Sequence, residues 1–138
     1  MFYKIISTTA LIASLSVGSI AIARDAQTTS AIDPSAPILT MINVLTPKNG
    51  DQDALVAQLE LALQSTLINE PGFISGNVHK SLDSKHVVNY AQWEDQKSLE
   101  AFVAKLQSGN APDMAQVFTM ATPDFHPYKI MSVHQSKN

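Results

Sequence analysis

Apolar residues recur along this chain with two spacings, a period of two that marks strands and a period near 3.6 that marks helices. "ILTMINVLT" (38–46) is apolar on both faces and rich in large and β-branched residues, which predicts a central strand covered on both sides. Pro47 and Asn49-Gly50 end it. "DQDALVAQLELALQSTLINE" (51–70) then sets Leu55, Leu59, Leu63 and Leu67 four apart, joined by Val56 and Ala62, behind the N-cap candidate Asp51. This predicts an amphipathic helix whose leucine stripe is core and carries no chemistry. Pro71-Gly72 turns the chain into the next strand.

"FISGNVHKSL" (73–82) and "HVVNYAQWE" (86–94) flank Asp83-Ser84 and predict a β-hairpin. The expected register sets Ser81 against His86, Val78 against Asn89, Gly76 against Ala91 and Ile74 against Trp93. One face then carries Ile74, Gly76, Val78, Val87, Asn89, Ala91 and Trp93. The other carries Phe73, Ser75, Asn77, His79, His86, Val88, Tyr90 and Gln92. The first face is the more apolar, so helices should cover it. Asn89 and Trp93 stand about 13 Å apart along their strand at ~3.3 Å per residue, with Gly76 and Ala91 between them. Two such small side chains leave volume that a packed core would otherwise fill. Either they floor a slot for a flat ligand, or a helix approaches the sheet closely at that point.

Asp95 caps a second predicted helix, "QKSLEAFVAKLQ" (96–107), with Leu99, Phe102, Val103 and Leu106 on one stripe and Gly109 beyond its end. "PDMAQVFTMATP" (112–123) opens on a proline suited to a first helical turn and predicts a short helix carrying Met114, Val117, Phe118 and Met120 inward. "YKIMSVHQ" (128–135), introduced by Pro127, is the expected last strand. The resulting order is strand, helix, strand, strand, helix, short helix, strand. That is an α+β domain of the ferredoxin-like, split βαβ class, expected over residues 37–138.

Upstream, Lys4, an apolar run to Ile22 and an Ala21-Ile22-Ala23 ending fit a secretory signal over residues 1–23, with a periplasmic or secreted product. A membrane anchor competes, but serines and threonines interrupt the run and a cleavage pattern follows it. No stable membrane association is expected after cleavage. "RDAQTTSAIDPSA" (24–36) is small and polar without periodicity, and reads as a mobile lead-in. Loss of Lys4 leaves 8 basic against 12 acidic residues, a balance that gives no electrostatic reason for a nucleic-acid partner. The chain has no cysteine, which excludes disulfides and thiolate metal sites. Its one arginine, Arg24, lies in the lead-in, so no arginine clamp is available. His79, His86, His126 and His134 fall on different elements without metal-binding spacing, and no metal site is expected. His126, beside Pro127 at the mouth of the last strand, is a candidate base if its loop folds over a cavity, against a plain surface reading.

"PGFISGNVHKSLDSKHVVNYAQWED" (71–95) resembles the core hairpin of the antibiotic biosynthesis monooxygenase (ABM) family, in which a Pro-Gly-Phe turn leads to an Asn-Tyr-x-x-Trp ending. It is similar above all to the cofactor-free, actinorhodin-type monooxygenases of aromatic polyketide pathways, and the general likeness spans roughly residues 38–134. The resemblance implies a homodimer in which two four-stranded sheets form an α+β barrel, each subunit keeping a cavity between sheet and helices. The face with His79, Tyr90 and Gln92 would then meet the partner. In the family, residues matching Asn89 and Trp93 bind a polycyclic phenol and help O₂ react with its deprotonated form, giving a hydroperoxide and then a quinone, with no flavin or metal. Asn89 would hold a substrate oxygen through its amide, and Trp93 would stack on the ring and donate its N–H. Gly76, Val78, Ala91, Leu99, Phe118 and His126 are expected around the substrate. The chain departs from those relatives at Leu99, where they place a cavity tyrosine, and in having no counterpart to a basic arginine.

The leading expectation is therefore an exported, cofactor-independent monooxygenase that takes O₂ and an electron-rich aromatic. A non-catalytic barrel that sequesters a small apolar molecule in the cell envelope is the alternative. Haem degradation, known elsewhere in the superfamily, needs an axial ligand, commonly histidine, and "QKSLEAFVAKLQSGNAPD" (96–113) contains none.

Overall fold

The computed structural model describes residues 29–137; the expected secretory signal (1–23) and the first part of the expected lead-in lie outside the described residues. Eight elements follow one another: β1 (Leu39–Pro47), α1 (Gln52–Ser65), a 3₁₀ turn (Leu67–Asn69), β2 (Phe73–Lys80), β3 (Val87–Trp93), α2 (Gln96–Gln107), α3 (Pro112–Met120) and β4 (Ala121–Tyr128). The strands pair antiparallel in the order β2-β3-β1-β4, and the fold is the ferredoxin-like α+β class that the periodicities predict. Both long helices start where a carboxylate can take an orphan amide. Asp51 accepts from the Ala54 N–H at 2.9 Å and Asp95 from the Ser98 N–H at 2.8 Å.

The inner sheet face presents Leu39, Met41, Asn43 and Leu45 from β1 opposite Trp93, Ala91, Asn89 and Val87 from β3. The core closes over it with Leu55, Leu59 and Ala62 of α1 and Val117 of α3, all essentially inaccessible to solvent. The hairpin register is the expected one from Ser75 to Lys80, with Gly76 opposite Ala91 and Val78 opposite Asn89. Before Ser75 it breaks: a bulge at Ile74 sets Phe73, not Ile74, against Trp93. One extra residue exchanges the two faces. Phe73 thereby turns inward, edge-on to the Trp93 ring at 5.3 Å, and Ile74 is left 45% exposed. Burying the aromatic ring against the indole is the better use of that position.

The last strand also differs from expectation. It runs over Ala121–Tyr128 and not over 128–135: residues 121–123, expected to close a helix, open the strand, and residues 129–135 carry no regular element. Pro123 and Pro127 argue against a strand only at a central position, and β4 is an edge. Both prolines share one parity with Phe125, so their missing N–H groups fall on the open side, and Thr122, Asp124, His126 and Tyr128 are left to pair with β1.

Among the described residues no helix covers the outer face of the sheet, where Ile42, Val44, Val88 and Tyr90 are half-buried. The lead-in crosses part of it. Gln92 donates to the Ala31 carbonyl at 2.9 Å, and Asn77 donates through Nδ2 to the Ser30 hydroxyl at 2.9 Å. Gln92 and its cross-strand neighbour Thr40 are consequently only 2% and 1% exposed. The described part of the lead-in is therefore tied down by side-chain hydrogen bonds, which a reading of apolar periodicity does not detect.

Candidate active site

α2 has the right stripe but does not close on the sheet. Phe102 alone is buried, and Leu99, Val103 and Leu106 face a cavity of about 280 Å³. Met41 and Asn43 of β1 and Asn89, Ala91 and Trp93 of β3 form its floor. Met114 and Phe118 of α3 and Pro123 and Phe125 of β4 complete the walls.

Five of the eight expected site residues meet here: Asn89, Ala91, Trp93, Leu99 and Phe118. Gly76, Val78 and His126 do not. A Cβ on Gly76 would stand 2.7 Å from Cδ2 of Leu63, so α1 already fills the space above that glycine. Of the two readings of the Gly76–Ala91 pair, close helix approach holds at Gly76 and the open floor holds at Ala91. Val78, on the same strand, packs against the hydrophobic core. His126 pairs with Ile42, on the outer side of the sheet from the cavity. There its ring is held 3.0 Å from the Asp124 carboxylate and edge-on to Tyr128. The sheet itself separates it from any ligand in the cavity, which removes it as a base.

The residue the sequence reading missed is Asn43. It lies directly opposite Asn89 across the β1–β3 ladder, and both amides line the cavity floor. The Oδ1 atoms of Asn43 and Asn89 are buried without any hydrogen-bond partner. A buried polar atom left unpaired costs roughly 1–3 kcal/mol, and native proteins keep few of them. Two such oxygens stand at the floor of the apolar cavity, and Thr40 Oγ1, on the outer face of the sheet, is a third. Asn89 Oδ1 lies 3.6 Å from where a Gly76 Cβ would stand, on the side of β2. The only signal in the sequence was a lone amide inside an otherwise apolar strand, "MINVL" (41–45).

Trp93 differs from the expected stacking platform. Phe102 already stacks on it at 5.6 Å and 29°, Phe73 meets it edge-on, and the side chain is 2% exposed. It forms a wall of the cavity, with little ring surface to offer.

Among the described residues, none that lines the cavity is acidic, basic, a histidine or a tyrosine, and its polar members are Asn43, Asn89 and Gln107. The carboxylates whose pKa values are displaced lie at the surface. The Ser35 hydroxyl holds Asp33 below the usual range, the Ser81 hydroxyl does the same for Asp83, and the Ser98 amide N–H for Asp95. Among the described residues there is no group of three or more His, Cys, Asp or Glu able to hold a metal ion, and no helix long and apolar enough to cross a membrane.

The sequence profile described as antibiotic biosynthesis monooxygenase matches residues 38–111. The chain belongs to the antibiotic biosynthesis monooxygenase family. Within this ABM family, the tetracenomycin-F1 monooxygenase of Streptomyces glaucescens is 33% identical over 75 residues, which cover 54% of this chain and 67% of that protein. The ABM fold is shared with SnoaB, a cofactor-independent oxygenase from Streptomyces nogalater, at a TM-score of 0.58 and 19% identity over 74% of this chain and 98% of that one. It is shared too with the monooxygenase ActVA-Orf6 of Streptomyces coelicolor, solved with nanaomycin D, at a TM-score of 0.54 and 22% identity over 76% and 96% of the two chains. Family membership makes this protein an ABM-type monooxygenase, an oxidoreductase.

Proposed function

We propose that this ABM monooxygenase converts a planar, electron-rich aromatic (a phenol, anthrone or quinol) to a quinone with O₂ and without a cofactor. The observation that carries the proposal is the pair of unpartnered amides, Asn43 and Asn89, at the floor of an apolar cavity without a titratable side chain. Such a cavity accepts a flat hydrocarbon skeleton and offers hydrogen bonds from the paired amides of its floor and from Gln107 at the end of α2. The relatives agree with it: the S. nogalater protein is a cofactor-independent oxygenase, and the S. coelicolor monooxygenase holds nanaomycin D as its ligand. A haem-degrading reaction has no support, because no lining side chain is a histidine, tyrosine or other haem-iron ligand.

The unpartnered Oδ1 atoms accept from the hydroxyl of a phenol or enol ligand, and the Nδ2 groups of the same two amides are the donors available to its oxygen once it ionises. As the substrate loses its proton, negative charge grows on that oxygen, and the fixed amide dipoles stabilise it in a site with little water. The anion transfers one electron to O₂, and the radical pair closes a C–O bond to give a hydroperoxide. Loss of water then leaves the carbonyl. For an anthrone the two C–H bonds of the methylene break, one oxygen atom of O₂ becomes the new C=O, and the other leaves as water. With no titratable lining residue, the first proton leaves to solvent. The rate therefore rises with pH through the substrate's own pKa, with no limb due to a protein base.

The proposal includes export, which rests on the N-terminal pattern of residues 1–23, and a homodimer. The outer sheet face supports the dimer, since Ile42, Val44 and Val88 lie there with no helix over them among the described residues. Oxygen uptake by the purified protein with anthrones, naphthols and quinols tests the activity. Protein-dependent uptake with one oxygen gained in the product is expected, whereas ligand binding without uptake would make the protein a sequestering module.

A further inference from the structure

Four aromatic rings line the cavity, and they are not equivalent. Trp93 and Phe102 are occupied with each other. Phe118 and Phe125 pair with no other ring among the described residues. Phe125 is 52% exposed, so its ring contributes little to the core. Its position is nonetheless well defined, because Pro123 and Pro127 stand two residues away on either side and restrict the backbone of the edge strand.

The sheet register places Phe125 in line with the two amides. Asn89 pairs with Asn43 across β3–β1, and Asn43 pairs with Phe125 across β1–β4. Adjacent strands are ~4.8 Å apart, so this row crosses ~10 Å of floor, about the length of a fused tricyclic skeleton. Phe125 also borders a second groove of about 340 Å³, bounded by Leu39 and Met41 on one side and Glu100 on the other. The ring stands where cavity and groove meet.

We propose that the ligand lies across the strands, with its oxygen end between Asn43 and Asn89 and its far ring against Phe125, and that Phe125 sets the length of skeleton the site accepts. This rests on the reading of the two amides as the polar end of the site. At about 280 Å³ the cavity falls just below the range of drug-sized pockets, which fits two or three fused rings. Removing the Phe125 ring joins the cavity to the groove and takes away the surface under the far ring.

The test is a binding titration, which needs no turnover. Trp93 is the one tryptophan of the chain and a wall of the cavity, so quenching of its emission reports occupancy. Anthrone and 1-naphthol are titrated into the wild type, Phe125→Ala and Phe125→Leu. Phe125→Ala is expected to weaken anthrone about three- to tenfold, the factor an aromatic pair contributes, and to leave naphthol within about twofold. Phe125→Leu is expected to fall between, and all three proteins to melt at closely similar temperatures because the ring is half in solvent. Equal weakening of both ligands, no change in either, or no binding by the wild type would overturn the proposal. Preserved discrimination without oxygen uptake would instead leave the ligand orientation standing and remove the oxidation.

Discussion

Asn89 was legible because a hairpin imposes a strict alternation: once the turn at Asp83-Ser84 is placed, its face and its neighbours follow. Asn43 was not, because a strand apolar on both sides hides a single amide in its middle, and the pairing that brings it opposite Asn89 is a long-range contact. The two residues are expected to behave alike. Asn43→Ala and Asn89→Ala should each lower kcat/KM about 10²-fold, in the range of an oxyanion-hole donor, while the melting temperature holds or rises because an unpaired buried oxygen is removed. Initial rates and thermal melts on the same preparations check both halves. Trp93 should separate from them. Trp93→Ala opens a cavity beside Phe73 and Phe102 and is expected to cost roughly 3–5 kcal/mol, whereas Trp93→Phe should fold and keep measurable turnover, as read by denaturant midpoints and rates.

At the scale of elements, the helices were the easiest to read, since four-residue leucine spacing and carboxylate caps are local signals. What they cover was not. α1 and α2 carry similar stripes, yet α1 seals against the sheet through Leu55, Leu59 and Leu63 while α2 stands over the cavity. That difference comes from packing with α3 and β4, which no periodicity records. β4 escaped because its prolines look like breakers until its edge position is known, and the bulge at Ile74 escaped because it depends on which ring best fits beside Trp93. Gly76 tests this level. Gly76→Ala forces a contact of 2.7 Å on Leu63 and is expected to lower stability by about 1–3 kcal/mol, in chemical denaturation, with little change in ligand affinity because the new methyl meets Asn89 Oδ1 only at 3.6 Å, an ordinary van der Waals distance.

For the whole molecule, one sheet face builds the cavity and the other carries no helix among the described residues. The lead-in takes up part of that outer face through Ser30 and Ala31, and the family match begins only at residue 38. Replacing the Gln92 amide, as in Gln92→Ala, should release this segment. Faster amide exchange confined to residues 29–36 and a loss of about 1 kcal/mol are the expected readouts, with cavity binding intact. If the rest of that face joins two copies, light scattering will report a dimer, and Val44→Asp, in the middle of the outer face, will dissociate it.

The most direct measurement is oxygen uptake by the purified protein with anthrone, using isotopically labelled O₂ and mass spectrometry of the product, across a pH series. The account predicts uptake that depends on the protein and on both Asn43 and Asn89, one labelled oxygen in the quinone, and a rate that rises through the ionisation of the substrate alone. A rate governed by a protein group, an unlabelled product oxygen, or uptake indifferent to both asparagines would contradict it.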